Sequence, residues 1–194
     1  ITTNPLPPAI RKIGSPGTAF GNEIMIGDDT LAAVPAGTVG EILVRGANVM
    51  QGYLNQPEET AKTISSDGWL RTGDLGYLDQ DGYVFVSGRI KELIIKGGEN
   101  IAPREIDEAL LEHEAVLEAA AFAVPCENYG ERVEACIRLK EQMQASASDL
   151  LAHCQTRLGK FKSPDTIHIL EDLPKGPSGK VQRLKLFGLV YPAE

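Results

Sequence analysis

Gly88-Arg89-Ile90-Lys91-Glu92-Leu93-Ile94-Ile95-Lys96-Gly97-Gly98-Glu99-Asn100-Ile101-Ala102-Pro103-Arg104-Glu105 is the stretch on which the chain turns, because the pattern changes character on either side of it. Upstream the sequence reads as short strands separated by turn residues. Downstream come longer amphipathic segments that alternate with apolar runs, the signature of a separate small lobe. Arg89 to Lys91 is therefore the expected joint. Just past it, Gly97 and Gly98 allow the backbone a tight turn at positive φ, which residues with a Cβ resist.

The composition narrows the function classes. Nineteen Lys and Arg stand against 27 Asp and Glu, a formal net charge of -8, which argues against non-specific binding to nucleic acid or to an anionic membrane surface. Any anionic ligand must be held by a local cluster. Cys126, Cys136 and Cys154 are odd in number, widely spaced and form no CxxC pair, so they read as reduced core thiols of a cytoplasmic protein. His113, His153 and His168 show no ligand spacing, and no metal site is expected. No apolar run approaches the roughly 18 residues of a membrane helix, and no signal peptide is expected. The chain opens Ile1-Thr2-Thr3 without methionine, so residues upstream are expected to have been removed.

In the first half, Asn4-Pro5-Leu6-Pro7-Pro8 is excluded from helix or central strand, since proline lacks the donor and restricts its predecessor. Asn22 to Ile26 and Glu41 to Val44 read as antiparallel strands. Pro57 to Ile64 starts with proline and acids and reads as a short helix. Tyr83 to Val86 follows the turn residues Asp79-Gln80-Asp81-Gly82, a hairpin signal. The expected architecture is a strand-rich barrel or sandwich. Within it, Trp69-Leu70-Arg71-Thr72-Gly73-Asp74-Leu75-Gly76 places a carboxylate at a strand end beside a glycine. A carboxylate so placed can accept two hydrogen bonds from a vicinal diol such as a ribose, charge-assisted bonds worth about 1.5–3 kcal/mol.

In the second half, Pro103 to His113 places Ile106, Leu110 and Leu111 on one face of a helix. Val116 to Val124 and Arg132 to Leu139 read as adjacent strands about the turn Pro125 to Gly130. Ser148 to Gln155 reads as a capped helix, and Thr166 to Leu170 as a strand after a Lys160 to Pro164 linker. The sum is a small α+β lobe. Leu173 to Arg183 contains Pro177-Ser178-Gly179-Lys180, which fails the phosphate-loop pattern: two residues rather than four separate Gly176 from Gly179, and Val181 follows the lysine. What remains is a loop, mobile by composition, able to deliver Lys180 to an anion.

Taken in order, Gly40-Glu41-Ile42-Leu43-Val44-Arg45-Gly46, Gly52-Tyr53, Asp67-Gly68-Trp69-Leu70-Arg71-Thr72-Gly73-Asp74-Leu75, Gly88-Arg89-Ile90-Lys91-Glu92, Lys96 to Ile106 and Ser178-Gly179-Lys180-Val181-Gln182-Arg183 resemble the C-terminal part of the adenylate-forming superfamily. That superfamily includes acyl-CoA synthetases, aryl-CoA ligases, luciferases and peptide-synthetase adenylation domains. The resemblance covers essentially the whole chain. It implies an α+β fold with residues 1–88 as a barrel-like subdomain ending the N-terminal AMP-binding domain and 89–194 as a mobile C-terminal domain. It implies an AMP-forming acid:CoA ligase, most like the branch acting on small and medium acids, oxalyl-CoA synthetase-like enzymes among them. Its substrates would be a small carboxylic acid, ATP and CoA.

By the same resemblance Asp74 and Arg89 hold the ribose, Lys91 is the hinge, Lys180 is the catalytic lysine of adenylation, and Gly98 lines the pantetheine path. The sequence lacks the Ser/Thr/Gly-rich loop and the glutamate that hold triphosphate and Mg²⁺ in the family, so Mg²⁺ ligands are expected upstream and the piece alone is expected to be inactive. Gly176-Pro177 departs from the Thr or Ala more common in relatives. Two alternatives are an adenylation domain that serves a carrier protein and a non-catalytic nucleotide-binding module of the same fold. Neither the acid nor the oligomeric state is legible.

Overall fold

The computed structural model describes residues 1–192. They form two compact units, Ile1–Lys91 and the residues from Glu92 onward.

The first unit is built on one antiparallel sheet. Its strands are β1 (Thr2–Thr3), β2 (Gly17–Ala19), β3 (Glu23–Gly27), β4 (Gly40–Arg45), β5 (Leu70–Leu78) and β6 (Tyr83–Arg89), with helix α1 (Pro57–Thr63) between β4 and β5. The spatial order is β1-β2-β6-β5-β4-β3. The expected barrel is thus an open sheet. A barrel needs its two edge strands to pair, and here β1 and β2 give only two paired residues each before the chain leaves the sheet. Ile26, Ile42, Val44 and Val84 form the core of one face, backed by Ile24, Val34, Leu78 and Val86. α1 starts at Pro57 with Glu58 and Glu59 in its first turn, where the helix dipole favours acids.

The chain leaves β6 through the 3-10 turn Ile90–Glu92 and enters the second unit. There the strands are β7 (Ile94–Lys96), β8 (Glu99–Ile101), β9 (Val116–Cys126), β10 (Gly130–Leu139) and β11 (Thr166–Ile169). The helices are α2 (Pro103–Leu111), α3 (Ala147–Lys162) and α4 (Leu186–Val190). β9 and β10 form a long antiparallel hairpin, and β11 lies parallel to β10 after the α3 crossover. This is the α+β lobe the pattern predicts, with the hairpin β7–β8 attached near Gly130.

Both faces of this sheet are covered, which is why β9 and β10 read as near-continuous apolar runs. Ala121, Val133, Ala135 and Ile137 face Ile106, Leu110, Leu150 and Cys154 of α2 and α3. Their neighbours of opposite parity, Ala120, Phe122, Val124 and Cys136, face Leu173 and Leu186. Two boundaries differ from the sequence expectation. The cap of α3 is Ser146, whose hydroxyl accepts from Asp149 N while Asp149 accepts in return from Ser146 N, a reciprocal pair that Ser148 is too late to make. The helix also takes up residues expected as linker and runs to Lys162, interrupted at Gly159 (φ 72°) and stopped before Pro164. Among the described residues, no helix is long and apolar enough to cross a membrane.

Candidate active site

Asp74 lies inside β5 rather than at its end, and two irregularities bring it opposite Arg89. From the Asp79–Gly82 turn the β5–β6 ladder runs Leu78↔Val84 and Gly76↔Val86, then slips so that Leu75 faces Gly88 and Asp74 faces Arg89. Ser87 is the extra residue. Without that slip Asp74 would stand opposite Gly88, on the wrong phase of the pleat. The result is an ion pair, Arg89 Nε to Asp74 Oδ1 at 2.8 Å, with the carboxylate side chain 33% exposed. A half-exposed carboxylate clasped by a guanidinium is an acceptor and a donor side by side, a donor set that fits a vicinal diol.

The second irregularity is on the other side of β5. Glu41 pairs with Leu75 and Leu43 with Arg71, so Thr72, Gly73 and Asp74 all stand against Ile42. Gly73 takes φ +71°, which is why a glycine precedes the aspartate. Thr72 Oγ1 donates to Ile42 O at 2.7 Å and accepts from Asp74 N at 3.0 Å. Glu41, nearly buried, accepts from Gly73 N at 3.0 Å and from Arg71 Nε at 2.8 Å. Sequence reasoning did not single out Glu41. Its signal is only an acidic residue inside an otherwise apolar strand.

Lys91 is exposed in the 3-10 turn two residues past Arg89. Gly97 and Gly98 form the two-residue loop of the β7–β8 hairpin at φ +60° and +85°, values that suit a hairpin turn with both central residues left-handed. A Cβ at Gly97 would meet the Tyr129 ring at 3.3 Å, whereas Gly98 faces open space, so only its backbone demands glycine.

Lys180 is exposed on a hairpin rather than an open loop. Lys175 and Val181 bridge its base, Gly176 N donates to Lys180 O at 2.8 Å, and Gln182 N donates to Pro174 O at 2.7 Å. Gly179 supplies the left-handed corner at φ +77°. Side chains anchor both ends. Lys175 pairs with Asp172 at 2.8 Å and with Glu118 at 3.0 Å. Arg183 pairs with Glu92 at 3.0 Å and with Asp107 at 2.7 Å, and also donates to Ala121 O. Burial pushes the Asp107 carboxyl above its ordinary range, while Arg183 and the Ala121 N–H pull it down.

The structure thus pairs Asp74 with Arg89 in the first unit, and carries Gly98 and Lys180 on two different loops of the second. Two other polar groupings lie away from these residues in sequence. Glu134, fully buried in β10, receives Arg132, His168 Nε2 (2.7 Å) and Tyr191 Oη. The rings of His113 and His153 meet edge to face with centroids 5.3 Å apart. Among the described residues no group of three or more His, Cys, Asp or Glu is placed to hold a metal ion.

Two family models match the sequence: AMP-binding enzyme over residues 1–54 and AMP-binding enzyme C-terminal domain over residues 105–180. Among curated proteins, the sulfoacetate–CoA ligase of Cupriavidus necator is 54% identical over 185 residues, 95% of this chain and 36% of that protein. The oxalate–CoA ligase of Saccharomyces cerevisiae is 41% identical over 94% of this chain and 34% of its own length. The chain therefore spans about a third of the length of these relatives. Among solved structures, ATP-bound MatB from Rhodopseudomonas palustris superposes with a TM-score of 0.92 at 35% identity, over 98% of this chain and 39% of that one. The o-succinylbenzoate CoA synthetase of Bacillus subtilis, in complex with its acyl-adenylate intermediate, gives 0.83 at 38% identity, over 94% and 36%.

Proposed function

We propose, from the premise that this chain belongs to the AMP-binding enzyme family, that it is the C-terminal part of an AMP-forming acid:CoA ligase. The observation that carries the reading is the Asp74–Arg89 pair, set at 2.8 Å by two strand irregularities. Two bulges around one carboxylate are costly unless its direction matters. Asp74 accepts from the ribose hydroxyls of the nucleotide and Arg89 supports the same sugar. The residues up to 88 end the N-terminal AMP-binding domain, and those from 89 form a mobile lid that turns about Lys91.

Two half-reactions follow. In the first, a carboxylate oxygen of the acid attacks the α-phosphorus of ATP and pyrophosphate leaves. Two anions meet there, and Lys180 supplies the positive charge that stabilises their union, an effect of order 3 kcal/mol in a site closed to water. In the second, the sulfur of CoA attacks the acyl carbon, AMP leaves, and the thiol proton passes to water. The lid withdraws Lys180 and brings the Gly98 turn to line the thiol's path, so one small domain serves both steps by moving. No residue of this chain is assigned to Mg²⁺.

Sulfoacetate and oxalate, named for two of the relatives, both carry a second anionic group. A small acid with two anionic groups is the substrate class this reading favours, and the cytoplasm is the compartment that suits three free thiols. The test is acid-dependent pyrophosphate release by the full-length protein over a panel of small dianionic, monoanionic and fatty acids. Asp74→Asn should raise the KM for ATP at least tenfold, and Lys180→Ala should lower the adenylation rate about a hundredfold, as losing a positioned charge does. An Asp74→Asn enzyme with unchanged ATP dependence would refute the assignment. The 194-residue piece alone should release no pyrophosphate.

A further inference from the structure

Arg183 is the most heavily engaged cation of the second unit. Its side chain is 15% exposed and its guanidinium reaches three different elements: Glu92 beside the joint, Asp107 on α2, and the carbonyl of Ala121 on β9. Asp107 also accepts from Ala121 N at 2.6 Å, so helix, strand and arginine share one carboxylate. Ninety-one residues separate Glu92 from Arg183. The two ends of that span are the residue after Lys91 and the root of the hairpin bearing Lys180.

We propose that the Glu92–Arg183 pair is a positioning device: it ties the position of Lys180 to the first residue past the joint, so that the lysine's placement is set from the joint itself. The inference rests on the role given to Lys180 above. A hairpin closed at its base by Gly176, Lys180 and Gln182 backbone bonds has little internal freedom, so its direction depends on its anchors. One anchor is Lys175, at the surface. The other is Arg183, held in a fork that a carboxylate on each side fills. Without Glu92 the arginine keeps Asp107 and Ala121 O, so the hairpin stays in the fold, but its tie to the joint is lost and the direction of the lysine relative to the joint is no longer set.

The experiment compares Glu92→Ala, Arg183→Lys and Lys180→Ala in the full-length protein, measuring each half-reaction separately. Glu92 is partly exposed, so Glu92→Ala folds even if the buried Arg183→Lys does not. Glu92→Ala should lower the adenylation rate about tenfold, since small misplacements of a catalytic group are felt at that scale. The KM for ATP, and the rate at which preformed acyl-adenylate is passed to CoA, should stay within about twofold. Arg183→Lys should lose more, because one ammonium cannot satisfy three partners at once. Unchanged adenylation in Glu92→Ala would overturn the proposal, and so would an equal fall in both half-reactions, which a merely structural role gives. If Lys180→Ala abolishes adenylation while Glu92→Ala leaves it intact, the positioning role alone fails. If Lys180→Ala is itself active, the reading of Lys180 fails with it.

Discussion

Removing the Glu41 carboxylate should loosen the proposed nucleotide site from behind, without touching Asp74 or Arg89. Glu41 is 6% exposed and accepts from Gly73 N at 3.0 Å, while its other oxygen holds Arg71 at 2.8 Å. In Glu41→Ala, Gly73 N–H loses its acceptor in a half-buried bulge, a cost of about 1–3 kcal/mol. The Arg71 pair adds little, because that side chain is 39% exposed and pairs open to water are worth about 0–1 kcal/mol. The total is about 1–4 kcal/mol, most of it local to residues 71–74. Glu41→Gln keeps an acceptor for Gly73 N and fills the same space, so it should lose no more than about 1 kcal/mol. Equilibrium unfolding of the full-length protein reads the first number, and the KM for ATP in pyrophosphate release reads its consequence at Asp74. With about half of the loss felt at Asp74, the Ala variant should raise that KM about tenfold and the Gln variant about twofold or less, on the scale of 1.4 kcal/mol per tenfold. An Ala variant with the parent's KM would show that Asp74 is directed by Thr72 and Arg89 alone.

Two further outcomes follow from the titratable groups. Lys12 hydrogen-bonds Asp79 and thereby holds its carboxyl below the ordinary value of 3.8, so the pair contributes stability that is present above that range and is lost as pH falls through the lowered value. In pH-dependent unfolding, Lys12→Gln should be less stable than the parent by a constant amount between about pH 5 and 9, and the difference should close below about pH 4; a difference that grew in acid would contradict the pairing. Burial pushes the Cys136 and Cys154 thiols up to about 11, so at pH 8 a thiolate-selective reagent should label half-buried Cys126 first and reach the other two only on unfolding. Rapid labelling of all three in the native protein, read by peptide mass, would place the core elsewhere.

Much of the fold was legible because its signals are local. Pro103 with acids behind it starts α2, Gly97-Gly98 closes a hairpin, and apolar runs about the turn expected over Pro125 to Gly130 give β9 and β10, β9 running on to Cys126. Each needs only its neighbours in sequence to be recognised. The site was legible as residue types and not as geometry. Counting back from the Asp79–Gly82 turn without a bulge pairs Asp74 with Gly88, and nothing in Val86-Ser87-Gly88 announces the slip that gives Arg89 instead. The barrel expectation failed for a similar reason: an edge strand of two residues such as β1 cannot be distinguished from a loop by pattern, and the edge decides whether a sheet closes.

The buried charges mark the limit more sharply. Glu41 sits in an apolar strand and finds Arg71 thirty residues on. Glu134 sits in another and finds His168 thirty-four residues on. Asp107 sits on the core side of α2 and finds Arg183 seventy-six residues on. By pattern alone each is an acid on the wrong face, and each is tolerated because hydrogen-bonding partners reach it with the right geometry: Arg71 for Glu41, Arg183 for Asp107, and Arg132, His168 and Tyr191 for Glu134. Such a pair is weak evidence of stability, since two apolar residues would serve as well, but it fixes which segments lie together. Two of the three lie at motifs: Glu41 behind the loop of Asp74, and Asp107 at the root of the Lys180 hairpin. If placement of those loops is what the charges are kept for, then replacing Asp107 and Arg183 together by a well-packed apolar pair should restore the stability that either single change loses, and should not restore adenylation.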